Sequence, residues 1–111
     1  MEADSLNSCI LGQDASPDTE EFKLFIKEVA REMTAKSGQK CTAIRRTIVP
    51  AKYADEVATA LKKRLTDIRL GNPSVEGVRM GPLASKSQHK DVTAQVATKM
   101  KVCEVAYGDL K

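Results

Sequence analysis

An α/β fold is predicted: a small parallel or mixed sheet whose strands are joined by crossover helices. Three observations predict it. Apolar residues recur with a helical period over Phe22–Met33, stretches of strand character lie on both sides of that pattern, and a second helical pattern follows the second stretch. Helices that alternate with strands fit right-handed crossovers and a parallel sheet.

Leu6-Asn7-Ser8-Cys9-Ile10-Leu11 alternates weakly and reads as a short strand. Turn formers fill 12–18, ending in Ser16-Pro17-Asp18. Asp18, with Glu21 three residues on, reads as a capping-box-like helix start, with acids near the positive end of the dipole. Phe22, Phe25, Ile26, Val29, Ala30 and Met33 then make one apolar face. Lys36 suits the last turn, and Gly38 is placed to end the helix in the left-handed conformation. Thr42 to Val49 favours a strand, with Ile44, Thr47, Ile48 and Val49.

Pro50 punctuates that strand and suits the first position of a second helix. Its apolar face is Ala54, Val57, Ala58, Leu61, Leu65 and Ile68, while Lys62, Lys63 and Arg64 face water. Gly71-Asn72-Pro73-Ser74 signals a loop, and no period is visible over 74–84. Ser85 with Gln88 is a second capping box, opening a helix that carries Val92, Val96 and Met100. Val102 to Tyr107 reads as a last strand. The 111 residues show no internal repeat or boundary, so 1–111 is expected to be one unit. A parallel sheet of so few strands has open edges, which points to a piece of a larger domain and to self-association.

Composition narrows the function classes. Apolar residues are 41% and charged residues 30%, within the range of a globular chain. The net charge of +3 is spread along the sequence, and aromatics are only 4%. That is not the basic stripe interleaved with aromatics that nucleic-acid binding calls for. No apolar run reaches membrane-spanning length, and no signal-peptide pattern opens the chain. Cys9, Cys41 and Cys103 are far apart and odd in number, with no Cys/His cluster. Reduced thiols in the cytoplasm are expected, and neither a zinc site nor a disulfide framework is.

Cys41 follows the first helix and precedes the second strand, where an open α/β sheet exposes its functional groups. Lys40, Arg45 and Arg46 are cations near it in sequence, and Thr42 and Ala43 are small. A thiolate there could add to a carbonyl carbon. The competing reading is an inert core cysteine at a helix–strand junction, the reading also given to Cys9 and Cys103. Composition does not say which carboxylate would act as base, and Glu20, Glu21, Glu28 and Glu32 read as solvated helix positions. Lys40 reads either as a cation that tunes the thiol or as a surface residue, and His89 as a partly exposed helix residue rather than a ligand.

Gly38-Gln39-Lys40-Cys41-Thr42-Ala43 resembles the active-site cysteine segment of the aldehyde dehydrogenase superfamily. Gly71-Asn72-Pro73 and the later Met80-Gly81-Pro82-Leu83 are similar to further segments of that family. Glu2-Ala3-Asp4-Ser5-Leu6-Asn7 resembles one branch of it, active in phenylacetate degradation, which carries these residues in place of the usual Glu-Leu-Gly-Gly-Lys element. Arg31-Glu32-Met33-Thr34 and Cys41-Thr42-Ala43-Ile44-Arg45-Arg46 also look like that branch.

The resemblance covers essentially the whole chain. It implies part of an aldehyde dehydrogenase catalytic domain, with Cys41 as nucleophile and its backbone N–H in the oxyanion hole. Glu2 would be the base that activates the deacylating water. The parent would oxidise a CoA-linked semialdehyde to the acid through a thiohemiacetal and a thioester, with NADP or NAD taking the hydride. No GxGxxG-like element occurs here, so no cofactor-binding residue is assigned, and the chain alone is expected to be inactive without the remainder of its parent. Two other classes share the fold: a non-catalytic binding or assembly module, and a thiol-based redox protein.

Overall fold

The computed structural model describes residues 6–109. They fall into two compact units, one up to Gly81 and a smaller one from Pro82.

The larger unit is a strand–helix–strand arrangement with a second helix. Strand β1 (Ser8–Ile10) pairs in parallel with β2 (Arg46–Ile48), Ser8 opposite Arg46 and Ile10 opposite Ile48. Helix α1 (Glu20–Thr34) connects them, as the alternation of strand and helix patterns predicts. Both strands are much shorter than the sequence stretches that suggested them. Arg45 N–H and Arg46 N–H both donate to Asn7 O, at 2.9 and 3.1 Å, and so start the ladder. Leu11 N–H extends it with a 2.9 Å bond to Ile48 O.

The α1 face packs as its period requires. Phe22, Phe25, Ile26, Val29 and Ala30 are all buried, Val29 completely, while Met33 at the end of the stripe is exposed. Leu11 and Ala15 from the β1–α1 turn, together with Val57, complete the core. Cys9, Ile44, Val49, Tyr53, Ala60 and Leu61 pack against it. The cap falls one residue later than predicted. Thr19 Oγ1 accepts from Phe22 N–H at 3.3 Å, whereas Asp18 accepts from Ser16 Oγ at 2.6 Å. Both residues offer an oxygen one position apart, and the turn geometry favours the threonine.

Helix α2 (Ala54–Thr66) begins later than Pro50 suggests, because a short 3-10 turn over Ala51–Tyr53 intervenes. Of its apolar face Val57 is buried, and Leu61 and Leu65 are half-buried. After α2 the chain closes a loop: Arg79 N–H donates to Arg69 O at 2.9 Å and Gly71 N–H to Met80 O at 3.1 Å. Asn72 Oδ1 accepts from Ser74 N–H at 2.9 Å inside it, the local turn that the Gly-Asn-Pro-Ser signal implies.

In the smaller unit, helix α3 (Lys86–Lys99) is capped as predicted, with Ser85 Oγ accepting from Gln88 N–H at 3.1 Å. None of its residues is buried, and His89 is exposed. The strand expected at 102–107 is a correction. Those residues are turns and irregular backbone, and all are exposed. Val102, Val105 and Tyr107 have strand propensity, but a strand exists only where a neighbouring ladder takes its N–H and C=O groups.

Among the described residues, no helix is long and apolar enough to cross a membrane.

Candidate active site

The segment from the end of α1 to β2 is built around a reversal of backbone hand. Helix α1 ends at Thr34, four residues before Gly38. Lys36, Ser37 and Gly38 then take φ values of +52°, +58° and +76°, one turn of left-handed backbone. Gln39 N–H closes it on Lys36 O at 3.1 Å, and Ser37 Oγ donates to Gly81 O at 2.6 Å. Gly38 is thus left-handed as predicted, but it completes a turn outside the helix rather than terminating the helix itself. A Cβ at Gly38 would lie 3.1 Å from the backbone oxygen of Met33.

The next four residues form a turn, with Ala43 N–H donating to Lys40 O at 3.1 Å. Cys41 and Thr42 sit at its corner, exposed, and Ala43 is fully buried beneath them. Two groups hold this corner. From the β1 side, Asn7 Nδ2 donates to Cys41 O and, at 3.3 Å, to Ala43 O. From α1, Glu32 takes Lys40 Nζ on both carboxylate oxygens, at 3.1 and 3.0 Å, and Thr42 Oγ1 on Oε2 at 3.3 Å. Arg31 Nη2 lies 3.6 Å from Glu32 Oε1 and 2.9 Å from Glu28 Oε2. The hydrogen bond from Lys40 above all holds the Glu32 carboxyl below the usual carboxylate range, against the opposing pull of desolvation.

The predicted site residues are placed as follows. Cys41 is at an exposed corner, not in the apolar interior. Glu2 lies outside the described residues. Lys40 is paired with Glu32, so its charge is shared with a carboxylate rather than left to the thiol alone. Glu32 itself is no solvated helix position: its side chain is only 15% exposed. Sequence reasoning missed it because Lys40 lies eight residues on, beyond the three- and four-residue spacings that bring helix side chains together. Asn7 was missed as a support because its role depends on strand pairing across more than thirty positions. Of the other thiols, Cys9 is half-buried and burial pushes it up, while Cys103 is exposed.

Neither strand-to-helix turn fits a dinucleotide pyrophosphate. The α1 start is already capped by Thr19, and its first turn carries the acids Glu20 and Glu21. The turn before α2 has Pro50 and no glycine, and Asp55 and Glu56 open the helix. Phosphate cradles need open N–H groups and close backbone approach. The prominent cleft of the larger unit lies between α1 and α2, floored by Phe22, Ile26 and Ala30 and rimmed by Lys27, Lys63 and Arg64; Cys41 does not line it. Among the described residues no cluster of three His, Cys, Asp or Glu side chains could hold a metal.

Comparison with known proteins shows the family and the fold. Residues 1–110 match the profile of the Aldehyde dehydrogenase family. A 3,4-dehydroadipyl-CoA semialdehyde dehydrogenase from Aromatoleum evansii is 51% identical over 108 residues, which is 97% of this chain and 21% of that protein's length. An aldehyde dehydrogenase from Bacillus cereus, solved with NAD+, superposes with a TM-score of 0.78 at 30% identity, covering 94% of this chain and 20% of that one. The betaine aldehyde dehydrogenase of Staphylococcus aureus, also solved with NAD+, gives 0.79 at 26% identity, covering 92% and 19%.

Proposed function

The chain belongs to the aldehyde dehydrogenase family, and from that premise we propose that it is the nucleophile-bearing part of a catalytic domain that oxidises a CoA-linked semialdehyde to the acid. The name of the Aromatoleum relative supports the substrate class. The branch-like segment Glu2–Asn7 supports a setting in phenylacetate breakdown, in the reducing cytoplasm where Cys41 stays a thiol.

Cys41 is the nucleophile. Its thiolate forms a C–S bond to the aldehyde carbon while the carbonyl π pair moves onto oxygen, leaving a tetrahedral thiohemiacetal oxyanion. The Cys41 backbone N–H helps hold that oxyanion. At the thioester stage Glu2 takes a proton from the attacking water, and the C–S bond breaks to return the thiolate. The oxidation between these two stages needs NADP or NAD, whose phosphates do not fit the turns of this chain. On this reading the oxidation is not carried by these residues, and the chain by itself is expected to be inactive as a dehydrogenase. Its partners are the remainder of the parent enzyme and the aldehyde. Exposed Ile10 and Ile48 on the two-stranded sheet favour self-association, which sedimentation tests.

The observation that carries this reading is the exposed Cys41 at a turn corner braced from both β1 and α1. The experiment uses the half-reaction that needs no nicotinamide. An activated ester such as 4-nitrophenyl acetate should acetylate Cys41 well ahead of Cys103, which is also exposed, and Cys41→Ser should abolish the Cys41 adduct in the mass spectrum. Equal acetylation of Cys41 and Cys103 would remove the nucleophile assignment. Glu2→Gln should slow loss of the acetyl group without slowing its arrival.

A further inference from the structure

We propose that Glu32 is a positioning residue for Cys41: one carboxylate grips the residues on both sides of the thiol, and its pairing with Lys40 balances the charge beside it. The inference rests on the reading of Cys41 as the nucleophile and deepens it.

The geometry is specific. Lys40 and Thr42 are the immediate neighbours of Cys41, and both donate to Glu32. The carboxylate is ionised, so its two oxygens accept several donors at once. Had α1 continued, Lys40 would lie about 12 Å further along the axis than Glu32, at 1.5 Å per residue. The left-handed turn at Lys36–Gly38 folds the chain back and brings the ammonium onto the carboxylate. This pair differs from an exposed helix-surface pair, whose partners are neighbours on one element and contribute little. It joins the end of α1 to the turn before β2, and its side chains are 15% and 32% exposed. Asn7 braces the same turn through its carbonyls, whereas Glu32 does so through its side chains. Between them they leave the corner itself facing outward.

The charge balance follows from the same contacts. An unpaired ammonium next in sequence to a thiol favours the thiolate, and an unpaired carboxylate opposes it. Lys40 with Glu32 presents both. Arg31 adds a cation, shared between Glu28 and Glu32. Glu32 therefore fixes the turn at the expense of the activation that Lys40 alone would give.

The test follows alkylation of Cys41 by iodoacetamide in the full chain as a function of pH, with Cys103 as reference in the same molecule. Glu32→Gln keeps the shape and an acceptor for Thr42 but leaves Lys40 unbalanced. The rate at neutral pH should rise roughly threefold, the size of a one-charge change nearby in a water-like dielectric. Lys40→Met leaves the carboxylate unbalanced and should lower the rate roughly threefold. The double variant should return to the starting profile. Opposed changes that cancel are not produced by loss of structure alone. Hydrogen exchange supplies the positional readout: amides of 40–43 should exchange faster in Glu32→Ala than in Glu32→Gln, with α1 unchanged. Changes of the same sign in Glu32→Gln and Lys40→Met, or no change in either, would overturn the proposal. Failure of the unaltered chain to acetylate Cys41 ahead of Cys103 strikes the nucleophile reading instead, so the two failures are told apart.

Discussion

Helices α1 and α3 are nearly equal in length and begin alike, each with a hydroxyl capping its own first turn. Their fates differ. Helix α1 buries five side chains and α3 buries none. A cap satisfies one orphan N–H and tells the chain where to start; it does not supply something to pack against. The α1 stripe is continuous and aromatic at two positions. In α3 the larger apolar side chains are only Val92 and Val96, with Met100 just past its end, and Val92 is 48% exposed.

The sharpest way to break this contrast is to empty the α1 face. Phe25→Ala should cost about 3–5 kcal/mol, since an aromatic leaves a cavity in a packed core; the urea midpoint reads it. Val92→Ala should stay within about 0.5 kcal/mol, the range of an exposed substitution. If the two cost the same, the difference in packing is not the one described. Next in size is the turn that follows α1. Gly38→Ala forces a Cβ against the Met33 carbonyl oxygen in left-handed backbone and should cost about 1–2 kcal/mol. The caps come after it. Thr19→Ala should cost about 1 kcal/mol of global stability. Ser85→Ala should instead fray α3 alone, visible as faster amide exchange over its first turn without a shift in the urea midpoint.

The smallest effect is one of pH. Glu32 has its folded value lowered by Lys40. Its contribution is therefore complete above the unfolded glutamate value of about 4.3 and is lost as pH falls through the lower folded value. Exchange at 40–43 should accelerate in that acid window while exchange in the core of α1 does not. Lys40→Met should remove the difference.

Where the chain obeys a local period, its sequence already discloses the structure. The α1 stripe and the Ser85 cap follow from residues read within one or two turns, and the order of strand and helix patterns implies a parallel sheet; for Cys41 the local residues leave an exposed nucleophile and an inert core thiol both open. Other features depend on what lies opposite. Val102–Tyr107 has strand propensity without a ladder to join. The brace on Cys41 comes from Glu32 and Asn7, nine and thirty-four positions away, through a hand reversal and a strand pairing that no spacing encodes. Thr19 and Asp18 differ only by a register that local chemistry leaves equal.

The turn at Lys36–Gly38 has one consequence for chemical synthesis. Three successive residues with φ near +60° follow the mirror image of ordinary helical backbone, so D-enantiomers belong there. A semisynthetic chain with D-alanine at position 38 should fold at least as firmly as the glycine form, because that stereocentre prefers the conformation glycine merely tolerates. Its L counterpart would hold its Cβ in the configuration that left-handed backbone disfavours.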